Sequence, residues 1–290
     1  MEAIEELRRK ITSAEDLQSI VRTMKALAAV SVRQYEMALE SLDHYYRTIS
    51  RGLQIVVKKE PSLLSYHRRQ QTGRSLAVVL GSDYGMVGQF NDQIVSYAMA
   101  RLDSGAEELE IWAMGERIVS RIERRGRSAR TIYSAPSSVN GVASLVQHIL
   151  LDIEDANARQ QIETVSFFYN RPIPGATFES AFYHLLPIDE NWLRNLSHEP
   201  WPNRALPTYT MESSRLFSAL IRQFLFVSIY RAIAESLASE NASRLAAMQG
   251  AEKNIEDRLG ELQFKYHQQR QSTITEELMD VVSGFEALTQ

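Results

Sequence analysis

The sequence predicts an α/β protein in which long helices at both ends of the chain flank a central region that contains a sheet. Two observations predict this class. No proline occurs before Pro61 or after Pro207, although the chain contains eight prolines, and proline ends helices. Between those limits, short apolar runs alternate with longer amphipathic stretches, the order of elements in α/β folds. The expected segments are 1–58 for the N-terminal helix, 73–206 for the α/β domain and 212–288 for the C-terminal helix.

The N-terminal segment keeps a seven-residue repeat, which is typical of a coiled-coil seam. One row of positions is apolar at every step: Leu7, Ala14, Val21, Ala28, Tyr35, Leu42, Ile49 and Val56. A second row is interrupted by two polar residues: Ile4, Ile11, Gln18, Lys25, Val32, Leu39, Tyr46 and Leu53. We expect Gln18 and Lys25 to loosen the pairing near the end of the coil.

The C-terminal segment repeats in the same way and predicts the antiparallel partner of the first helix. Its repeat is formed by Leu220, Val227, Ala234, Met248, Ile255 and Leu262, and its last turns by Ile274, Leu278, Val281, Phe285 and Leu288. The last turns are out of phase with the earlier row near the polar run 268–273. This slip indicates either a local change of winding or a helix that leaves its partner. Because this segment is the longer one, we expect it to extend beyond the N-terminal helix.

The middle of the chain predicts a Rossmann-like, mostly parallel sheet with an antiparallel hairpin at one edge. The predicted strands are 75–80, 109–114, 130–134, 164–170 and 178–187, and the predicted helices are 91–102, 116–125 and 138–154. The last two strands are joined by the turn 171–175. Strand order does not follow from these patterns.

Bulk composition excludes several classes of protein. Apolar residues make up 44% and charged residues 23% of the chain, as in ordinary globular proteins. The formal net charge of −4 gives no global basic field for nucleic acid. The most apolar window, 217–237, contains Arg222 and Arg231, which argues against membrane insertion. Without cysteine, disulfides and thiolate chemistry are excluded.

Motifs for catalysis or cofactor binding are weak. The loop 81–91 (GSDYGMVGQFN) follows a strand and precedes a helix, but Gln89 and Phe90 stand where a Walker A motif needs Lys and Ser or Thr. We interpret it as a tight backbone turn and a contact surface. The six histidines have no metal-ligand spacing. Basic residues cluster at 8–10 and 121–130 among glutamates, which is typical of solvated helix faces or of contact with an acidic protein surface. We therefore expect no catalytic residue, no cofactor and no metal site.

Both ends of the chain resemble the gamma subunit of F-type ATP synthases. The resemblance is carried by 239–248 (SENASRLAAM), by Arg270-Gln271 followed by 274–278 (ITEEL), and by 11–34 with its pair Met24-Lys25. The loop 82–91 is similar to the family's Ser-Asp-x-Gly-Leu-Cys-Gly-Gly-Phe-Asn, with Val87 and Gln89 as departures. In these departures, and in the weak similarity of its central domain to the family, the chain resembles the alternative ATPases of some bacteria and archaea, some of which are sodium-linked.

The resemblance implies a non-catalytic central stalk, or rotor, that couples an ion-translocating membrane ring to ATP turnover. The implied partners are the alpha and beta catalytic subunits, the epsilon subunit and the ring of c subunits. The implied location is peripheral, on the cytoplasmic face of the plasma membrane. Contacts with the alpha/beta ring are implied for Met24, Lys25, Arg244, Arg270, Gln271, Thr275 and Glu277. The loop 197–207 is expected toward the membrane ring. The sequence does not reveal which ion is carried, proton or sodium, nor whether the complex synthesises or hydrolyses ATP.

A coiled-coil scaffold or chaperone with an α/β domain is the alternative interpretation of the same segments. A nearby gene for a Walker A beta subunit, or co-purification with alpha and beta, would separate the two.

Overall fold

The computed structural model describes residues 2–63, 74–102, 109–160, 162–173, 176–201 and 207–289. The elements in chain order are α1 (Glu2–Lys59), β1 (Arg74–Leu80), α2 (Phe90–Leu102), β2 (Leu109–Met114), α3 (Glu116–Glu123), β3 (Thr131–Tyr133), α4 (Val139–Gln160), β4 (Ile162–Ile173), β5 (Ala176–Leu186), α5 (Glu190–His198) and α6 (Ser213–Thr289). The chain divides into two compact units, Ala29–Arg244 and Met1–Ala28 with Leu245–Gln290.

The sheet of the larger unit has the strand order β3-β2-β1-β4-β5. The first four strands are parallel, and β5 pairs antiparallel with β4. This arrangement confirms the predicted mostly parallel sheet with an antiparallel edge hairpin. The predicted turn at 171–175 lies partly outside the described residues, because 174 and 175 are not described.

Both faces of the sheet are buried, which explains why β1 reads as an apolar run. Ala77 and Val79 of β1 face α2 and α3, where Ile94 and Ile118 are fully buried. The alternate residues Leu76, Val78 and Leu80 face α4 and α6. A side-chain period of two residues sends neighbours to opposite faces, so one strand serves both cores.

Within the larger unit, α1 and α6 run antiparallel, as predicted. Tyr45 Oη donates to Gln223 Oε1 at 2.8 Å, and Arg231 pairs with Asp43, so numbers rise along α1 as they fall along α6. The predicted apolar row of α1 is buried here at each of its four steps, Tyr35, Leu42, Ile49 and Val56. These residues face the sheet core and a second core formed with α5 and the start of α6.

The smaller unit is the remaining part of the same two helices, again antiparallel. Arg22 of α1 reaches Glu252 at 3.0 Å, and Gln18 reaches Glu256 at 3.3 Å. Val21 and Ala28 are buried on α1, and Met248, Leu259 and Leu262 on α6. The burial pattern adds a row that the sequence analysis missed, at Glu252, Leu259, Tyr266 and Thr273.

The end of α6 is exposed over many turns. From Lys265 to Ser283 every side chain except Tyr266 and Thr273 is exposed, although the helix is continuous. The slip near 268–273 therefore marks a helix that leaves its partner. The polar seam residues Gln18 and Lys25 both have polar partners on α6, and the loosening expected there stays a prediction.

Within the described ranges, one helix contains a stretch that by length and composition alone is apolar enough to cross a membrane. It lies in α6, where an 18-residue window reaches a mean hydropathy of 1.4. Core helices of globular proteins reach the same value, and Phe217, Phe224 and Val227 of α6 belong to the core formed with α1 and α5.

Helix α5 was not predicted. It begins at the cap of Asp189, whose carboxylate accepts from Asn191 N, and it buries Leu193 and Leu196. Only nine residues long, it is too short for a clear periodic signal. The first two residues of the expected loop 197–207 are the last two of this helix, and 202–206 lie outside the described residues.

Candidate functional site

The loop 81–91 lies between β1 and α2, where phosphate-binding loops of α/β proteins lie, and its own side chains hold its conformation. Asn91 Oδ1 accepts from Ser82 N at 3.0 Å, and Asn91 Nδ2 donates to Ser82 Oγ at 2.8 Å. Both residues are almost fully buried. Met86 and Gly88 adopt positive φ angles of 61° and 57°, so the chain reverses within a few residues. The loop is thus a tight backbone turn.

Asp83 occupies the place where an anion would bind. Its Oδ1 accepts from Glu116 N, the first amide of α3, at 3.0 Å, and its Oδ2 accepts from Ala135 N at 2.8 Å. Amides at a helix N-terminus are the groups that bind phosphates in α/β proteins. Here the first amide of α3 and the loop amide of Ala135 bind a carboxylate of the same chain.

The loop also contacts α6 within the larger unit. Ser243 Oγ donates to Val87 O at 2.6 Å, and both residues are buried. This bond joins the carboxyl end of β1 to the helix that follows the α/β segment. Since the loop faces protein at this point, its geometry favours a structural role over a nucleotide site.

The arginine cluster in and after the last turn of α3 is largely engaged by neighbours. Arg121 pairs with Asp92 at 2.8 Å, Arg130 with Glu110 at 2.9 Å, and Arg125 donates to Ser96 Oγ at 2.8 Å. In the described part of the chain, no group of three or more His, Cys, Asp or Glu side chains could hold a metal ion. His184 lies 3.4 Å from Ser166 Oγ, and partial burial lowers the pKa of its imidazole.

The residues that the resemblance assigns to ring contacts divide between the two units. In the smaller unit, Met24 and Lys25 are half-buried on α1. The Lys25 ammonium donates to Glu252 Oε2, and Arg22 donates to Glu252 Oε1. These hydrogen bonds, first from Lys25 and then from Arg22, lower the pKa of Glu252 below its ordinary value.

Arg244, in the larger unit, is mostly buried and bound to its own helix. Its guanidinium donates to Glu240 Oε1 at 2.6 Å and to Asn241 Oδ1 at 3.2 Å. Only 12% of the Arg244 side chain and 7% of the Glu240 side chain are exposed. Burial raises the pKa of the Glu240 carboxyl, although Arg244 opposes the rise. Glu240 Oε2 has no partner among the described residues.

The remaining four predicted contact residues, Arg270, Gln271, Thr275 and Glu277, are all exposed on the part of α6 that leaves α1. Arg270 shares one helical face with Ile274, Glu277 and Val281, because spacings of four, three and four residues return to the same side. Ile274 is 52% and Val281 73% exposed. The result is an exposed stripe that mixes charge with large apolar side chains.

Comparison with known proteins identifies this arrangement. The family model described as ATP synthase matches residues 3–288 of the chain. The chain belongs to the ATP synthase family. Among curated relatives, the gamma chain of Syntrophus aciditrophicus is 26% identical over the full length of both chains. The gamma chain of Cytophaga hutchinsonii is 27% identical over 99% of both.

Solved structures share the fold. A chain of the Euglena gracilis mitochondrial ATP synthase rotor superimposes with a TM-score of 0.61 at 17% identity, covering 94% of this chain and 99% of that one. A chain of the Tetrahymena thermophila central stalk and c-ring gives a TM-score of 0.56 at 19% identity, over 80% of this chain and 99% of that one. The predicted family, fold class and gamma assignment, a non-catalytic stalk subunit, are confirmed.

Four side chains that matter here were missed from the sequence. Asp83 and Asn91 stand in the loop that we examined for phosphate binding, and their use as internal hydrogen-bond partners has no local signal. Glu240 and Glu252 appear as ordinary polar positions of a long helix. Glu240 lies four residues before Arg244, and Glu252 lies four residues after Met248. These spacings, which place each pair on one face of the helix, were the only hint in the sequence.

Proposed function

We propose that the chain works as the rotor of its ATP synthase by carrying the exposed end of α6 past the catalytic subunits. The observation that supports this most strongly is the family match over 3–288, combined with an α6 that continues as a bare helix beyond its partner. A stalk must present one surface in turn to several catalytic faces. A stripe of mixed polarity suits contacts that form and break.

The proposed partners follow from the family. The helical pair turns within the ring of alpha and beta subunits, and the α/β segment binds epsilon and the ring of c subunits. In this assignment 1–58 and 212–288 act as the shaft and 73–206 as the base. The chain is peripheral, without direct membrane insertion, and faces the cytoplasm of a bacterial or archaeal cell. Which ion passes through the membrane ring is a property of other subunits.

The seven assigned residues have different roles in this proposal. Arg270, Gln271, Thr275 and Glu277 contact the catalytic subunits directly, because their side chains are exposed. Met24 and Lys25 form a half-buried flank of α1. Arg244 acts from the larger unit, and its guanidinium is already neutralised by Glu240.

Arg270 and Gln271 supply the decisive test. No described residue accepts a hydrogen bond from the Arg270 side chain, so its donors are available to a partner. A hydrogen bond to a charged group contributes about 1.5–3 kcal/mol, enough to favour one orientation and weak enough to break during rotation. We expect Arg270→Ala with Gln271→Ala to leave folding and assembly intact and to slow coupled turnover by up to about tenfold.

The measurement is ATP hydrolysis and ion pumping by the reconstituted complex, normalised to the amount of assembled ring. Arg258→Ala is the matched control, since Arg258 is also exposed on α6 and loses the same charge. Unchanged rates in the double variant would show that these two residues make no such contact. Failure of the unmodified chain to assemble with alpha and beta would instead contradict the stalk function.

A further inference from the structure

A four-residue charge cluster joins the two helices of the smaller unit. Glu252 lies in a seam row of α6, and only 16% of its side chain is exposed. Lys25 of α1 bonds one of its carboxylate oxygens, and Arg22 bonds the other at 3.0 Å. Arg22 also reaches Glu256 at 3.3 Å. Two cations and two anions thus balance across the seam.

Lys25 is the least exposed cation of this cluster. Its side chain is 35% exposed, compared with 56% for Arg22. The apolar residues Val21 and Ala28 of α1 and Met248 of α6 are all buried in the same coil. A polar pair in an apolar seam specifies register, because a shifted register would leave each charge facing an apolar partner.

We infer that Glu252 is a positioning residue: it holds Lys25 against α6, so that Lys25 acts in coupling through the register of the helical pair and not by pairing with an acidic group of a catalytic subunit. The coupling part of this inference rests on the proposed stalk function. The register part concerns the chain alone. A charge cluster in the seam resists slip of one helix along the other.

Charge reversal tests the inference. Lys25→Glu and Glu252→Lys are made singly and together in the full chain. In the double variant the new Lys at 252 faces the new Glu at 25 and stands four residues from Glu256, while the new Glu at 25 stands three residues from Arg22. Every charge of the cluster is therefore paired again. Lys253→Glu is the control, because Lys253 is exposed on α6 beside the cluster and reverses the same charge.

The first readout is amide hydrogen exchange of residues 11–28 and 245–262 in the free chain. Each single reversal is expected to raise the opening equilibrium of the helical pair about fivefold, and the double variant is expected to return it to the original value. The control is expected to leave it unchanged. Exchange that the single reversals do not alter would overturn the register role of Glu252.

The second readout is the number of ions pumped per ATP hydrolysed in the reconstituted complex. If Lys25 acts through Glu252, the single variants lower this ratio and the double variant restores it. The double variant could instead restore the exchange rate while its ratio of ions pumped per ATP stays as low as in Lys25→Glu. That result would show that the Lys25 ammonium contacts a partner subunit directly. It would overturn the inference and leave the stalk function unaffected. A control variant that pumps normally shows that the assembly itself is sound.

Discussion

Replacing Asn91 by alanine tests whether the loop 81–91 is a structural turn. The substitution removes the acceptor of the buried Ser82 N–H and the donor to Ser82 Oγ. A buried amide without a partner costs about 1–3 kcal/mol. The Ser82 hydroxyl keeps its bond to Tyr84 O at 2.9 Å, so losing its second partner costs only about 1 kcal/mol. We expect Asn91→Ala to lower the free energy of unfolding of the larger unit by about 2–4 kcal/mol.

Urea unfolding followed by tryptophan fluorescence measures this loss selectively. The chain has three tryptophans, and Trp112, Trp192 and Trp201 all lie within Ala29–Arg244. Gln93→Ala is the control: Gln93 is exposed on the same helix and bonds only Gln89, so its loss is expected to stay within about 0.5 kcal/mol. Equal midpoints for Asn91→Ala and Gln93→Ala would refute the reasoning that internal hydrogen bonds hold the loop.

Two further predictions concern α6. Burial raises the pKa of Glu240 above its ordinary value of 4.5, so the native state keeps a proton that the unfolded chain has released, and stability falls as pH rises from about 4.5 through the native pKa. Glu240→Gln removes this dependence. We expect the difference in unfolding free energy, variant minus unmodified chain, to increase as pH rises through that range in urea titrations. A difference that stays constant with pH would show that Glu240 ionises normally. The exposed end of α6 is expected to exchange its amides quickly from about Gln268 onward in the free chain, because helices without packing are marginal in water. Protection there equal to that of β1 would contradict this.

The helical pair was predictable because a seven-residue repeat is a local signal. Each position of the apolar row of α1, from Leu7 to Val56, repeats the same information, and the polar Gln18 and Lys25 of the second row did not hide it. The second seam row of α6 was missed because it contains Glu252 and Thr273, which carry no apolar signal. Lys25 looked like a defect of the seam, since its partner is separated from it by 227 residues of chain.

The sheet was predictable in its strands and not in their order. Buried strands such as β1 are apolar on both faces, which marks them clearly. The neighbour relation between β1 and β4 depends on how α4 crosses over, and no residue of either strand encodes it. Helix α5 escaped for a different reason, because Leu193 and Leu196 alone make no period. In the exposed stripe of α6, Arg270 and Glu277 were predicted through the family resemblance. Exposure of Ile274 was expected because α6 is longer than its partner helix.

The carboxylate of Asp83 acts as a built-in anion at the start of α3. A phosphate that approached the first amide of α3 would have to displace the Asp83 carboxylate, which the fold already holds against that amide at 3.0 Å. That amide is therefore closed to a free phosphate by the chain itself.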